Sequence, residues 1–193
     1  EVTPPTTIEE LGLKQSPPPR LAATGVIARP QMPSSMRAIV VKPQPSLEPY
    51  YVKLRAEVGS GFMQEGLGWL YIGFHLDPLL GVHWNNLAPP LEFNIETPEG
   101  ICIASSRGVA PVVKAEADAD PREFLLGLEW DSKILSRTDF NKAELILEVN
   151  YYACHDNGWC KPFKQRYHIQ LVPDRNAGSV RSRGRSGGGF RNR

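Results

Sequence analysis

Cys154 and Cys160 stand either side of a strong turn signal, Asp156-Asn157-Gly158, in the stretch from Val149 to Pro162. A cysteine pair this close can cycle between dithiol and disulfide, by thiolate attack on a disulfide sulfur through a mixed disulfide. The other use for such a pair is a static cross-link. Loop length weighs against that use. Closing so short a loop removes roughly 2.4 kcal/mol of unfolded-chain entropy, against about 4.7 kcal/mol for a hundred-residue loop. The spacing therefore favours redox exchange, and an inert hairpin disulfide of the kind found in small secreted domains is the rival reading.

The flanking residues say what must position this pair. Upstream, Ala143, Leu145, Leu147, Val149 and Tyr151 alternate with Glu144, Glu148, Asn150 and Tyr152, with Ile146 the one apolar residue on the second face. That period of two is a half-buried strand. Downstream, Tyr167, Ile169 and Leu171 alternate with Arg166, His168 and Gln170, which gives the return strand. A three-residue loop with Gly158 left-handed sets His155 opposite Trp159 and Cys154 opposite Cys160. A two-residue Asn-Gly turn would instead pair His155 with Cys160; the three-residue loop is preferred. Opposed residues on antiparallel strands have Cβ atoms about 4.5–5.5 Å apart, and a disulfide wants roughly 3.5–4.5 Å. A bridge is within reach, with some strain expected. Cys154 shares its face with Asn150 and Tyr152, which places it near the loop and within a partner's reach.

The pattern Val-x-Tyr-x-x-Cys, then x-Asp-x-Gly-aromatic-Cys-x-Pro, resembles the N-terminal periplasmic domain of the bacterial thiol:disulfide interchange protein DsbD. It is carried by Val149, Tyr151, Cys154, Asp156, Gly158, Trp159, Cys160 and Pro162. The motif covers about fourteen residues, and strand order extends a weaker likeness from about Tyr50 to Val172. The chain has Phe163 where the family often has a second proline, and the family's aromatic cap loop over the cysteines matches no motif here. The resemblance implies an immunoglobulin-like β-sandwich whose cysteine pair passes electrons between thioredoxin-like partners. It also implies that Cys154 and Cys160 are both essential, with Tyr151, Tyr152, Trp159 and Pro162 shaping or supporting the pocket. Asp156 or a nearby carboxylate would assist proton transfer, although its charge raises rather than lowers a neighbouring thiol pKa. Which cysteine is attacked is left open.

The rest of the chain reads as a single domain between two tails. Residues 1–35 are proline-rich, with Pro4-Pro5 and Pro17-Pro18-Pro19, and suit a linker or extended arm, with one helical turn at Ile8 to Leu11. The domain spans 36–173. Met36 to Val41 is its first strand, and Tyr50 to Val58 the clearest alternating one, with Tyr51, Lys53, Arg55 and Glu57 on the wet face. Trp69 to Leu76 is apolar on both faces, as a covered central strand should be. After a turn at Asp77-Pro78, further strands are expected at Gly81 to Trp84, Pro90 to Glu96, Ile101 to Ile103 and Phe124 to Trp130. Ala115 to Pro121 reads as an exposed acidic loop that packs little, and 132–141 as a connection with a possible helical turn. Roughly eight short strands from Tyr50 onward, with turn chemistry between them, mean an antiparallel all-β sandwich. The chain has 18 prolines and 17 glycines, which suits many turns and few long helices. It begins at Glu1 and holds no apolar run long enough to span a membrane, so it reads as trimmed, and an export signal or a membrane-anchored parent would lie outside it.

Residues 174–193 hold six arginines, one acid and Gly187-Gly188-Gly189, a composition expected to be disordered. Six of the 22 basic and one of the 21 acidic residues fall there, so the remainder carries about −4 behind an overall +1. The tail resembles segments that bind single-stranded nucleic acid. With an acidic domain behind it, nonspecific and salt-sensitive attraction to polyanions is expected, and no specific nucleic-acid site.

Other chemistries fit less well. Cys154, His155, Cys160 and His168 are metal-ligand types, but five residues between the cysteines exceed the two to four of structural zinc sites. Adjacent strand residues also point to opposite faces, so Cys154 and His155 do not easily share an ion. His75 and His83 read as ordinary surface or core histidines, and Cys102 as a buried free thiol. No serine–histidine–aspartate set, phosphate-cradling glycine loop or paired-carboxylate motif stands out. The expected function is thus cofactor-free thiol–disulfide exchange with a thioredoxin-like partner in an oxidising, periplasmic or otherwise extracytoplasmic compartment. A non-catalytic interaction module with a structural Cys154–Cys160 bridge is the alternative.

Overall fold

A computed structural model of the chain describes residues 35–60, 62–131, 133, 134, 136, 139 and 141–177. The proline-rich arm with its expected helical turn, most of the arginine-rich tail and half of the 132–141 connection lie outside the described residues.

Alternating apolar residues, punctuated by turns, produce eleven strands among the described residues: β1 (Met36–Pro43), β2 (Val52–Gly59), β3 (Leu67–Leu76), β4 (Val82–Asn85), β5 (Glu92–Glu96), β6 (Ile101–Ile103), β7 (Arg107–Val109), β8 (Ala117–Asp118), β9 (Arg122–Trp130), β10 (Glu144–His155) and β11 (Cys160–Pro173). One helical turn, Phe62–Glu65, and one 3-10 turn, Pro78–Leu80, interrupt them. All the pairings are antiparallel. The fold is the expected all-β sandwich.

One sheet runs β6-β9-β3-β2-β1 and the other β1-β11-β10-β4-β8, with β5 sharing the free edge of β10 with β4 and carrying β7. β1 belongs to both. Met36 to Ala38 pair with β2, the register shifts between Ile39 and Val40, and Ile39 to Pro43 pair with β11. A shift of this kind bends a strand and increases its twist, which lets one strand turn the corner between layers.

The core lies between the inner faces. Leu145, Leu147, Val149 and Tyr151 of β10 and Tyr167, Ile169 and Leu171 of β11 are buried, as are Leu70, Ile72 and Phe74 of β3 and Phe124, Leu126 and Leu128 of β9. Phe93 of β5 meets Phe124 edge-on at 4.6 Å and Phe74 at 5.8 Å, so aromatic contacts join the two layers near the middle.

Four expectations need correction. Glu57, placed on the wet face of β2, is buried; Arg55 donates to its carboxylate from Nε at 2.6 Å, and this partner makes burial of the charge tolerable. Tyr51 leaves that wet face too and packs against Trp159 and Phe163. Ala115 to Pro121 is mostly exposed but not featureless: β8 pairs with β4 there, and Asp118 binds the buried Arg122 through both carboxylate oxygens. Cys102 is exposed rather than buried, because alternation turns it outward on an edge strand opposite the exposed Glu129.

His75 near the end of β3 generates a test. Burial pushes its pKa below the ordinary histidine value, Glu123 pulls it part of the way back, and Arg55 pushes it down further. Its Nε2 is buried with no hydrogen-bond partner among the described residues. A depressed folded pKa means that the unfolded chain binds the proton more tightly. The associated stability is present above about pH 6.5 and is lost as pH falls below it. Thermal melts between pH 7.5 and 5 should show a fall in Tm that is shallower in His75→Gln. Parallel pH profiles for the two proteins would rule this out.

Candidate functional site

β10 and β11 form the longest hairpin, in continuous register from Glu144 opposite Gln170 to Cys154 opposite Cys160. Beyond the cysteines the His155 N–H donates to the Trp159 carbonyl at 2.9 Å, and the Gly158 N–H donates to the His155 carbonyl at 2.9 Å. This is the expected three-residue loop. Gly158 has φ +92° and an added Cβ would meet nothing within 4 Å, so backbone conformation rather than space favours glycine here. The Asn157 N–H donates to His155 Nδ1 at 2.9 Å, which ties the loop to the ring before it. Cys154 and Cys160 are disulfide-bonded with Cα atoms 4.0 Å apart, the close approach of a non-hydrogen-bonded antiparallel pair.

The two sulfur-bearing residues differ in access. Cys154 retains 8% of its surface, whereas Cys160 is exposed. Sharing a face with Asn150 and Tyr152 therefore does not put Cys154 within easy reach, because strands lie on both its sides: β11 on one and β4 on the other. Cys160 is the accessible member of the pair.

Alternation divides the other expected site residues between the two faces. Tyr152 opposes Pro162 two rows from the disulfide and on its face. Tyr151 and Trp159 lie on the opposite, inner face. There Tyr151 stacks on Phe163 at 5.2 Å, Trp159 meets Phe163 at 5.7 Å, and Tyr51 closes the cluster at 5.4 Å from Trp159 and 5.1 Å from Phe163. Trp84 of β4 packs edge-on against Tyr151 at 5.6 Å. Lys161 lies over the Phe163 and Trp159 rings, at 4.9 Å and 5.5 Å. These aromatics brace the hairpin from beneath and do not line the disulfide's own face. Burial drives the Tyr151 phenol pKa well above its usual value, so it stays neutral and acts as a packing residue.

β4 supplies what sequence reading missed. Its pairing sets His83 directly opposite Cys154, on the side away from Cys160, and Val82 opposite His155. Asp156, exposed in the loop, has Oδ1 3.6 Å from His83 Nδ1. The Asp156 N–H also donates to the Gly81 carbonyl at 3.0 Å, which docks the hairpin tip on the strand's start. Gly81 is left-handed at φ +57° where the 3-10 turn ends, and the turn's other end is capped by Asp77 accepting from the Leu79 N–H. Nothing local in the sequence links His83 to the cysteines. Only the order of strands does.

The remaining metal-ligand candidates are engaged elsewhere. His155 faces inward with its ring 5.3 Å from that of Trp159, and His168 Nδ1 lies 2.8 Å from Glu144 Oε2. No group of three histidine, cysteine, aspartate or glutamate side chains converges among the described residues. No protein-family model matches the chain, and no curated protein matches it.

Docking at Gly81 can be measured. A Cβ at this position would lie 3.0 Å from Asp156 Oδ2, in addition to the cost of a left-handed non-glycine residue. Gly81→Ala should lower stability by about 1–2 kcal/mol, and by more than Gly158→Ala, which carries the backbone cost alone. Chemical denaturation of the two variants checks the order; equal losses would mean that Asp156 of the tip does not rest on Gly81.

Proposed function

We propose that the chain carries out thiol–disulfide exchange with a thioredoxin-like partner through Cys154 and Cys160, in an oxidising extracytoplasmic compartment. The observation that carries this reading is the pairing of an exposed Cys160 with a buried Cys154 across the tip of a hairpin that needs no cross-link. Eleven opposed positions already fix that hairpin, and closing a loop this short adds roughly 2.4 kcal/mol at most. A bridge so placed contributes little as a staple. It does offer one sulfur to an incoming thiolate. The immunoglobulin-like domain of DsbD, which the hairpin motif resembles, uses its cysteine pair in this way.

The exchange is balanced within two dithiol–disulfide pairs. A partner thiolate attacks Cys160 Sγ, the Cys154–Cys160 bond breaks, and Cys154 leaves as a thiolate. The partner's second thiolate then attacks its own half of the mixed disulfide and releases Cys160. The partner is oxidised by two electrons and the hairpin pair is reduced by two; the reverse sequence runs the electrons the other way. The exposure of Cys160 and the burial of Cys154 support Cys160 as the site of the mixed disulfide and Cys154 in the resolving role. The aromatics beneath the strand hold both sulfurs in register through each half-cycle.

A redox titration and a trapping experiment test the reading. An exchange pair should have a reduction potential above about −300 mV, whereas structural bridges fall below it. Cys154→Ser should leave a folded domain whose Cys160, activated as its thionitrobenzoate disulfide, captures a thioredoxin-like protein lacking its second cysteine as a stable mixed disulfide, with thionitrobenzoate as the leaving group. Cys160→Ser should trap far less, because Cys154 is buried. Both variants should also carry Cys102→Ser, since Cys102 is exposed. A potential below −300 mV together with no trapping through Cys160 would leave the non-catalytic interaction module in its place.

A further inference from the structure

Cys160, Cys154 and His83 occupy one row across three adjacent strands, β11, β10 and β4. Directly opposed residues share a face, with Cβ atoms about 4.5–5.5 Å apart. Cys154 is therefore flanked by its disulfide partner on one side and an imidazole on the other. About a third of the His83 side chain remains exposed, and Asp156 faces its Nδ1 edge at 3.6 Å.

We propose that His83 is the electrostatic partner of Cys154, its imidazolium stabilising the thiolate that forms when the bridge opens. This rests on the exchange reading for its biological use, but the chemistry belongs to the bridge itself. When a thiolate attacks Cys160 Sγ, the electron pair of the old bond goes to Cys154 Sγ. No proton has to move. A cation beside the departing sulfur lowers the energy of that charge, and a leaving thiol of lower pKa departs faster. In the return direction the same cation keeps Cys154 deprotonated, ready to attack a mixed disulfide held at Cys160. A histidine serves because its proton is gained and lost near neutrality, so the assistance depends on pH.

The other charged groups around His83 leave it this role. Asp156 comes from the hairpin tip and sets a carboxylate oxygen 3.6 Å from Nδ1, the edge of the ring it faces. His155, next in the chain, faces inward, and its Nδ1 accepts from the Asn157 N–H. Asp77, before the 3-10 turn, is taken up by Lys53 at 2.7 Å and by the Leu79 N–H. On β8, Asp118 opposes Trp84 rather than His83 and is bound by Arg122 and Asn86. Lys161 is on the inner face, over the rings of Trp159 and Phe163. Among the described residues, His83 is thus the cationic group that strand register places beside Cys154.

The test uses the full chain and a small thiol as probe. The disulfide is reduced with dithiothreitol between pH 5.5 and 8.5, and each rate is divided by the concentration of dithiothreitol thiolate. In the native chain the corrected rate should rise as pH falls through the histidine range. In His83→Gln it should be flat, and about tenfold lower at pH 6. A second measurement follows the thiolate of Cys154 by ultraviolet absorbance in Cys160→Ser/Cys102→Ser, with and without His83→Gln. Loss of the histidine should cut the thiolate fraction at pH 7 by about tenfold, the effect of one unit of thiol pKa. Identical pH profiles with and without His83 would overturn the proposal, and the dithiothreitol arm decides the matter even if the serine variant fails to fold. Failure of the exchange reading looks different: His83 would still shape the profile with dithiothreitol, while a thioredoxin-like protein would neither reduce nor capture the pair.

Discussion

Hydrogen bonding along both edges of β10 is the constraint on which the rest of the molecule depends. One edge carries β11 without a break from Glu144 to Cys154; the other carries β5 and then β4. Side chains alternate, so a slip of one residue would turn Leu145, Leu147, Val149 and Tyr151 toward solvent. The hydrophobic gain from burying these four, on the order of 1.5–3 kcal/mol for each large side chain, therefore also fixes where Cys154 sits. The site takes its geometry from the core. No separate device is needed to bring two cysteines and a histidine into one row.

That dependence explains what could be read from the sequence. Strand periodicity and turn chemistry are local, so the hairpin, the three-residue loop and the cysteine register follow from residues 143–171 alone. The inner-face assignments of β5, β9, β10 and β11 follow in the same way. Non-local pairing is where local patterns stop informing. His83 reaches Cys154 only because β4 takes the second edge of β10, and the same strand accounts for the burial of Cys154. Glu57 has the sequence pattern of a charge on a wet face, and only the folded structure buries it beside Arg55. Alternation turns Cys102 away from Ile101 and Ile103, yet its exposure depends on β6 being an edge strand, and edge position is a property of the sheet. The arginine that holds Asp118 had no signal either, since a strand's first residue is ordinarily solvated.

The motif residues also divide in a way that their adjacency in sequence conceals. Tyr152 and Pro162 accompany the disulfide on the outer face, while Tyr151 and Trp159 belong to the aromatic cluster beneath. Substituting the first pair alters the surface beside the disulfide. Substituting the second loosens the platform and moves both sulfurs together. Fourteen contiguous residues thus serve two faces separated only by the parity of their positions.

The shortest strands in the fold are the outermost ones. β6 ends one sheet with three residues, β8 ends the other with two, and β7 borders β5 with three. An open sheet edge is a template on which a second chain can add a strand, and long, flat edges are the hazardous ones. Edges of two or three residues offer a foothold too small for stable addition between molecules. Among the described residues, these outermost strands therefore present little on which a copy of the chain could add a strand.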